Sequence, residues 1–402
     1  MTKVVGLGGI FFRSADPKAL SAWYAKHLGM PVEVWGGAPF PFREKDEPSR
    51  VGHTIWSPFS EDTSYFGPDP KRFMLNYRVD DLDAMLAALR AAGVAVDEKT
   101  DRSEYGYFGW ATDPEGNRFE LWEPPATERS GLTMYVVDAF TQEAFRGNPA
   151  AVAILEAFFD DPRLLAIARE NNLSETAFLV PRPKSASQLA EYDLRWFTPT
   201  VEVDLCGHAT LASAQVLFSR AAPELTELRF FTKSGPLTVT RGEAGALVMD
   251  FPSRPPEPRA LHPGLSEALG LAPREVLVAG DYLVAVYPEA AQVAGLRPNF
   301  SALEALAPEI KGAIVTAPAG SDHPGVDFVS RFFAPAKGVS EDPVTGSAHT
   351  ILGPYWAARL GKTKLQAQQL SARGGQMGLQ VMGERVALSG HAVLTKTMVL
   401  HA

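Results

Sequence analysis

Glu175 lies in Asn-Asn-Leu-Ser-Glu-Thr-Ala-Phe (171–178), a polar turn that runs into an apolar stretch. Two loops of small residues follow it: Asp-Leu-Cys-Gly-His-Ala-Thr (204–210) and Glu-Asp-Pro-Val-Thr-Gly-Ser-Ala-His (341–349). Small residues let backbone N–H groups come close to a ligand. Each loop leads into an apolar run with helical character, Leu211–Phe218 and Ile351–Ala358. A helix start adds partial positive charge to those N–H groups. One carboxylate facing two such starts suggests proton transfer on an anionic substrate. The N–H groups would stabilise an enolate-like charge. Glu175 can be the acid/base if burial raises its pKa toward neutrality.

These residues need a scaffold that brings distant segments together. Residues 132–402 begin with a strand, Tyr-Val-Val-Asp-Ala-Phe (135–140), followed by Gly-Asn-Pro-Ala-Ala-Val (147–152). Cys206–Thr210 and Thr345–His349 occupy similar contexts, with acidic residues before and apolar runs after. The echo implies two similar lobes, about 132–250 and 251–402, joined near Pro252–Pro258. Valine-rich runs at 245–250, 276–287 and 312–317 indicate mixed α+β lobes.

The sharpest boundary is Glu-Pro-Pro-Ala-Thr-Glu-Arg-Ser-Gly (123–131), polar and proline-containing as a linker should be. The chain therefore divides into a first domain at 1–123, a linker at 124–131 and a second domain at 132–402. The first domain contains a repeat. Phe12-Arg13-Ser14-Ala15-Asp16 matches Tyr77-Arg78-Val79-Asp80-Asp81, and Gly29–Glu33 matches Gly93–Asp97. Each copy reads as a strand, an Asp-started helix and a Gly stop. Strands are expected around His53–Trp56, Tyr107–Ala111 and Arg118–Trp122, with a hairpin turn at Asp113–Asn117. The expected unit is βαβββ, twice. Trp35, Trp56, Phe59, Tyr65, Phe66, Tyr107, Phe108 and Trp110 supply its core or the lining of an apolar cup.

Bulk properties narrow the function classes. The 402 residues are ordinary globular in composition, 46% hydrophobic and 21% charged. A net charge of -9 argues against nucleic acid as a partner. The apolar run Val4–Phe12 is broken by glycines and followed by Arg13 and Asp16, so it reads as a strand, not a leader or membrane span. Cys206 is the only cysteine. No intrachain disulfide can form, which fits a reducing, cytoplasmic setting. A racemase with two opposed thiols cannot be built within one chain.

The first domain resembles the vicinal oxygen chelate superfamily of glyoxalase and bleomycin-resistance proteins. The resemblance rests on Asp-Pro-Glu-Gly-Asn-Arg-Phe-Glu-Leu-Trp-Glu (113–123) and Tyr-Arg-Val-Asp-Asp-Leu-Asp-Ala (77–84). It puts the family's first-strand histidine at Gly9, its fifth-strand histidine at Met74 and its last-strand carboxylate at Glu120. Gly9 has no donor and Met74 is a poor ligand for a hard ion. With His53 as the one further candidate, no metal is expected there.

The second domain resembles the PhzF family of phenazine-biosynthesis isomerases. Asn-Leu-Ser-Glu-Thr-Ala-Phe (172–178), Arg-Trp-Phe-Thr-Pro (195–199), Cys-Gly-His-Ala-Thr (206–210) and Glu-Asp-Pro-Val-Thr-Gly-Ser-Ala-His (341–349) carry it, with Phe145 and Gly147–Val152. The resemblance implies a diaminopimelate-epimerase-like fold: two lobes, each a sheet around a central helix, with the active site between them. It implies that Glu175 is the catalytic acid/base, with His208 and Asp342 as relay and orienting groups. Ser174, Gly207, Gly346 and Ser347 fall at substrate-contacting positions. The family's reaction moves a proton on a cyclohexadiene carboxylate and needs no cofactor. The related epimerases carry cysteines in both loops, whereas here Cys206 is paired with Thr345.

The expectation is a cofactor-independent isomerase or epimerase of a small carboxylate. A homodimer is expected, because dimers are common to both resembled families. The alternatives are a metal-dependent glyoxalase or dioxygenase, or a small-molecule binding module, in residues 1–123.

Overall fold

The computed structural model describes residues 3–43, 51–67, 72–125, 131–183, 190–221, 225–260, 262–306 and 310–401. Met1–Leu132 forms the body of one compact unit and Thr133–Leu400 makes up another. Of the expected linker, 126–130 lie outside the described residues.

The first unit runs β1 (Val4–Ser14), α1 (Pro17–Leu28), β2 (Ala38–Arg43), β3 (Val51–Ser60), β4 (Phe73–Val79), α2 (Leu82–Ala91), β5 (Ala95–Ser103), β6 (Gly106–Thr112) and β7 (Arg118–Glu123). Asp16 and Asp81 cap the two helices, each accepting a backbone N–H at 2.9 Å. Gly29 ends α1 in the left-handed conformation that glycine tolerates best. The sheet order is β2-β3-β1-β4-β7-β6-β5. β1 pairs in parallel with β3, as β4 does with β7, so the copies are related by their pairing as well as their sequence.

The copies are not equal in length. The second is βαβββ as expected, but among the described residues the first is βαββ. Where the second copy places β5, the first has a turn closed by Glu33 and Gly37, with Gly36 at φ 94°. Trp35-Gly36-Gly37 cannot continue a strand in that conformation. Met74 consequently lies on the fourth strand, not the fifth.

The second unit is built on a sheet that continues from one lobe into the other. Strand Leu132–Ala139 leads through Asn148–Ile154, Glu175–Pro181, Ala190–Phe197, Glu227–Thr232 and Gly235–Arg241 to Leu247–Pro252. Leu247–Pro252 pairs with Arg385–Gly390. From there the sheet runs through Gly375–Met382, Lys364–Gln369, Phe328–Ala334, Gly312–Pro318, Tyr282–Val286 and Glu275–Ala279. The last strand, Ala392–Leu400, returns to lie beside Leu132–Ala139, where Thr395 bonds the Val136 carbonyl. A division of the lobes at 250/251 therefore needs correction: 392–400 belongs with the first lobe.

Each run of strands packs against a helix. Gly207–Val216 lies against Asn148–Ile154, Glu175–Pro181, Leu247–Pro252 and Ala392–Leu400. All its residues but Gln215 are buried. A helix buried on nearly every side belongs in an interior, and Gly207, Ala209, Ala212 and Ala214 keep it thin enough for strands to approach. Gly346–Leu360 takes the same place against Lys364–Gln369, Gly375–Met382 and Arg385–Gly390. Among the described residues no helix is long and apolar enough to cross a membrane.

Candidate active site

The two central helices meet at their starts. A Cβ added to Gly207 would lie 3.4 Å from the Cα of Gly346, and the reverse holds equally. The two backbones thus come within van der Waals contact of a single added methyl group. The N-cap residues are Cys206 and Thr345, and neither gives its helix a side-chain cap. The first-turn N–H groups of both helices are thus left for other partners.

Glu175 reaches this junction from the first residue of its strand. The helix Asp161–Asn171 is stopped by Asn172 at φ 48°, and the chain re-enters the sheet at Glu175, opposite Ala150. Asn148 starts the neighbouring strand two residues earlier, so both side chains belong to the same edge of the lobe. Gly147 makes the bend before it, at φ 65°, where a Cβ would lie 2.1 Å from the Ala139 carbonyl oxygen. Arg373 clamps this bend by donating to the Gly147 carbonyl and pairing with buried Asp138 at 2.8 Å. Asp138 in turn accepts the N–H of Phe145.

The polar groups form a network around Asn148. Its Nδ2 donates to Asp342 Oδ1 at 2.7 Å and to the Val344 carbonyl at 2.9 Å, and lies 3.1 Å from His208 Nδ1. Thr345 donates its hydroxyl to the other Asp342 oxygen. Gln369 fixes this loop from below, donating to the Asp342 carbonyl and accepting the Thr345 N–H. The Cys206 thiol is 3.5 Å from His208 Nδ1. The Asn148 Nδ2 beside Nδ1 can only donate, so the neutral ring accepts there and carries its proton on Nε2. That atom faces Glu175 Oε2 at 3.2 Å. The pair is not aligned as a hydrogen bond, and neither atom has another hydrogen-bond partner.

Burial controls the charges. It pushes the Glu175 carboxyl up to about 8, helped by the charge of Asp342 and opposed by Cys206 and Lys337. It raises Asp342 to about 6, against the hydrogen bonds from Thr345 and Asn148. It lowers His208 to about 3, so the ring is neutral at physiological pH. The Cys206 thiol is pushed well up, chiefly by burial and then by Glu175. A thiol held protonated is a poor nucleophile.

The expected site residues thus gather at one place, with one exception. His208 and Asp342 are linked through Asn148, Glu175 faces His208, and Gly207 touches Gly346. Ser347 is in the first turn of the second helix, with its hydroxyl 3.5 Å from that of Tyr282. Ser174 is half-buried beside Glu175, but its hydroxyl bonds to none of the described residues. The sequence alone points to no role for Asn148, Gln369 or Lys337. Asn148 had a signal in Gly-Asn-Pro, whereas Gln369 is one of several glutamines on its strand and had none.

Residues 137–397 match the family described as phenazine biosynthesis-like protein, PhzC-PhzF. The chain belongs to this family. An uncharacterized isomerase of Pseudomonas aeruginosa is 54% identical over 270 residues, which are 67% of this chain and 99% of that one. A crystal structure of a PhzF-family protein from Enterococcus faecalis is 46% identical, with a TM-score of 0.61 over 66% of this chain and 98% of that one. A putative PhzC/PhzF protein from Clostridium difficile is 40% identical, with a TM-score of 0.60 over 67% and 99%. The chain is accordingly an isomerase-type enzyme of the PhzF kind. Residues 9–122 match a glyoxalase-like domain.

A glyoxalase-like domain raises the question of a metal, and the donors of the first unit do not fit one. Glu120 is fully buried and pairs across the sheet with Asn76, not with a histidine. It accepts from Tyr65 at 2.6 Å, Asn76 at 2.5 Å and Trp110 at 2.9 Å. The first-strand position that faces this group is Gly8, one residue from the Gly9 expected from sequence. A Cβ there would fall 1.7 Å from Asn76 Oδ1, so Asn76 occupies the space a ligand side chain would need. Around it pack Phe11, Phe59, Tyr65, Phe66, Phe108 and Trp110, while Trp35 is half exposed outside the cluster. Among the described residues, the group of donors close enough for one ion is Glu175, Cys206 and His208 in the second unit.

Proposed function

We propose that the second unit isomerises or epimerises a small carboxylate by carrying a carbon-bound proton on Glu175, with no cofactor. The observation that carries this reading is the unpartnered Glu175 oxygen. It is buried beside His208 Nε2, at the meeting of two uncapped helix starts, with its pKa raised to about 8. A buried carboxyl oxygen with no partner is costly for stability and suited to proton exchange near neutrality.

As a carboxylate, Glu175 takes a proton from the carbon next to the substrate's conjugated or carboxylate group. The resulting enolate charge is received by the backbone N–H groups at Gly207 and His208 and at Gly346 and Ser347. His208, neutral and protonated on Nε2, donates toward the same region. Asp342 and Asn148 hold the imidazole in that tautomer. Glu175, now a carboxylic acid, returns the proton to another carbon or to the opposite face. The proton count is unchanged, so the cycle needs neither oxidant nor external base.

The test is exchange in deuterated water, with a panel of cyclic dienoic and α-amino carboxylates followed by mass spectrometry and NMR. Wild type should incorporate deuterium at carbon into at least one class. Glu175→Gln, correctly folded, should lose that incorporation. Equal incorporation by Glu175→Gln would overturn the reading.

A further inference from the structure

Lys337 lies in the turn Pro335–Lys337, between strands Phe328–Ala334 and Val339–Asp342. The hairpin that carries Asp342 therefore also carries a cation. Its Nζ donates to the Tyr282 hydroxyl at 3.1 Å and lies over that ring at 4.7 Å. Asp281 is its nearest counter-charge, at 3.8 Å, too far for a hydrogen bond. Asp281 is also drawn toward Arg254 at 3.7 Å, and Arg254 covers the Tyr282 ring at 5.5 Å.

The donors in this row are underused. An ammonium has three N–H donors, and Lys337 spends one on Tyr282. Tyr282 accepts that bond, so its own hydrogen is left to give. The nearest acceptor for it is Ser347 Oγ at 3.5 Å, the outer limit of a hydrogen bond. Ser347 follows Gly346 at the helix start that meets Gly207. The row thus leads from the reacting site outward and presents N–H and O–H groups along its length. The charge of Lys337 acts on both Glu175 and Asp342, lowering the pKa of each.

We propose that Lys337 and Tyr282 form a specificity subsite for an acidic group of the substrate, additional to the carboxylate received at the paired helix starts. This rests on the proton-transfer reading above and sharpens it: the preferred substrate is a small acid with two anionic groups. Lys337 binds the second group through its spare N–H donors and Tyr282 adds its hydroxyl, while Asp281, paired with Arg254 at 3.7 Å, turns from Lys337 toward that guanidinium as the anion enters.

Calorimetric binding of benzoate and isophthalate, planar probes with one and two carboxylates, tests the subsite without turnover. Wild type should bind isophthalate about tenfold more tightly than benzoate, as expected for one added charge-assisted hydrogen bond. Lys337→Met should bind both alike, Lys337→Arg should restore the preference, and Tyr282→Phe should weaken it. Lys337 is partly exposed in a turn, so these variants should fold. Equal binding of the two probes by wild type, or an unchanged preference in Lys337→Met, overturns the subsite. Deuterium exchange by wild type and Glu175→Gln is read separately, so failure here is distinguishable from failure of the proton-transfer reading.

Discussion

Glu120 in the first unit and Glu175 in the second are both glutamates withdrawn from water, and burial raises the pKa of both. Their surroundings differ. Glu120 accepts hydrogen bonds on both oxygens, from an amide, a phenol and an indole. Glu175 has one buried oxygen with no hydrogen-bond partner, facing the Nε2 of a neutral imidazole. A carboxylate with both oxygens engaged is a structural element, and removing it leaves donors stranded. A carboxylate left short of partners is a standing cost, retained where a proton must move. The contrast also separates the two candidate chemistries of this chain. Asn76 and Gly8 close off the place where a chelate-type site would need ligands, while the paired helix starts of the second unit remain uncapped.

The largest expected effect comes from exchanging acid for amide at each position. Glu175→Gln should lower proton-exchange turnover by between about 100- and 10,000-fold, the range for a lost general acid/base. Glu120→Gln should leave that turnover unchanged. A loss of turnover with Glu120→Gln would break the comparison. Next is stability. Glu120→Gln sets an NH2 group among donors and should cost the first unit about 2 kcal/mol, measured by denaturant unfolding. A neutral result would mean that the three hydrogen bonds do not hold the core.

The pH dependence should be smaller and opposite in sign for activity and stability. In the proposed mechanism the carboxylate form of Glu175 is the base, so kcat/KM should rise with pH and level off above about 8. The folded-state pKa lies above the ordinary value of 4.5, so the stability it contributes is complete below that value and is lost as pH rises through about 8. Glu175→Gln should therefore melt at higher temperature than wild type in alkaline buffer, with the difference shrinking as the pH is lowered. An equal gap in acid and alkali would show that Glu175 is not the titrating group. The smallest expected effect is none: a chelator should leave exchange unaltered. Glu175 and Cys206 would both have to lose protons to bind an ion, and burial opposes both. Loss of exchange on chelation, restored by one divalent ion, would move the chemistry to a metal at Glu175, Cys206 and His208.

Much of this arrangement is legible in the residues themselves. Glu175, His208 and Asp342 stand in segments whose small residues announce close backbone approach, and Asp16 and Asp81 mark helix starts by local rules. The turn at Trp35-Gly36-Gly37 also carried a readable signal, although the repeat suggested a strand there. What local pattern does not convey is pairing across long separations. Leu247 meets Gly390, and Thr395 reaches back to Val136, so the last strand crosses to the first lobe. Asn148 acquires its role only because folding places it between His208 and Asp342. Gln369 and Lys337 sit on an ordinary strand and turn, and their chemistry comes from neighbours distant in sequence.

The central claim is that Glu175, with one oxygen left unpartnered, holds its proton near neutrality. Carbon-13 NMR titration of side-chain carboxyls in glutamate-labelled protein tests it, with Glu175→Gln and Glu120→Gln assigning the two buried resonances. The signal lost in Glu175→Gln should titrate near pH 8. If that signal instead titrates around the ordinary 4.5, Glu175 is a solvated carboxylate at neutral pH and the account of the site is wrong.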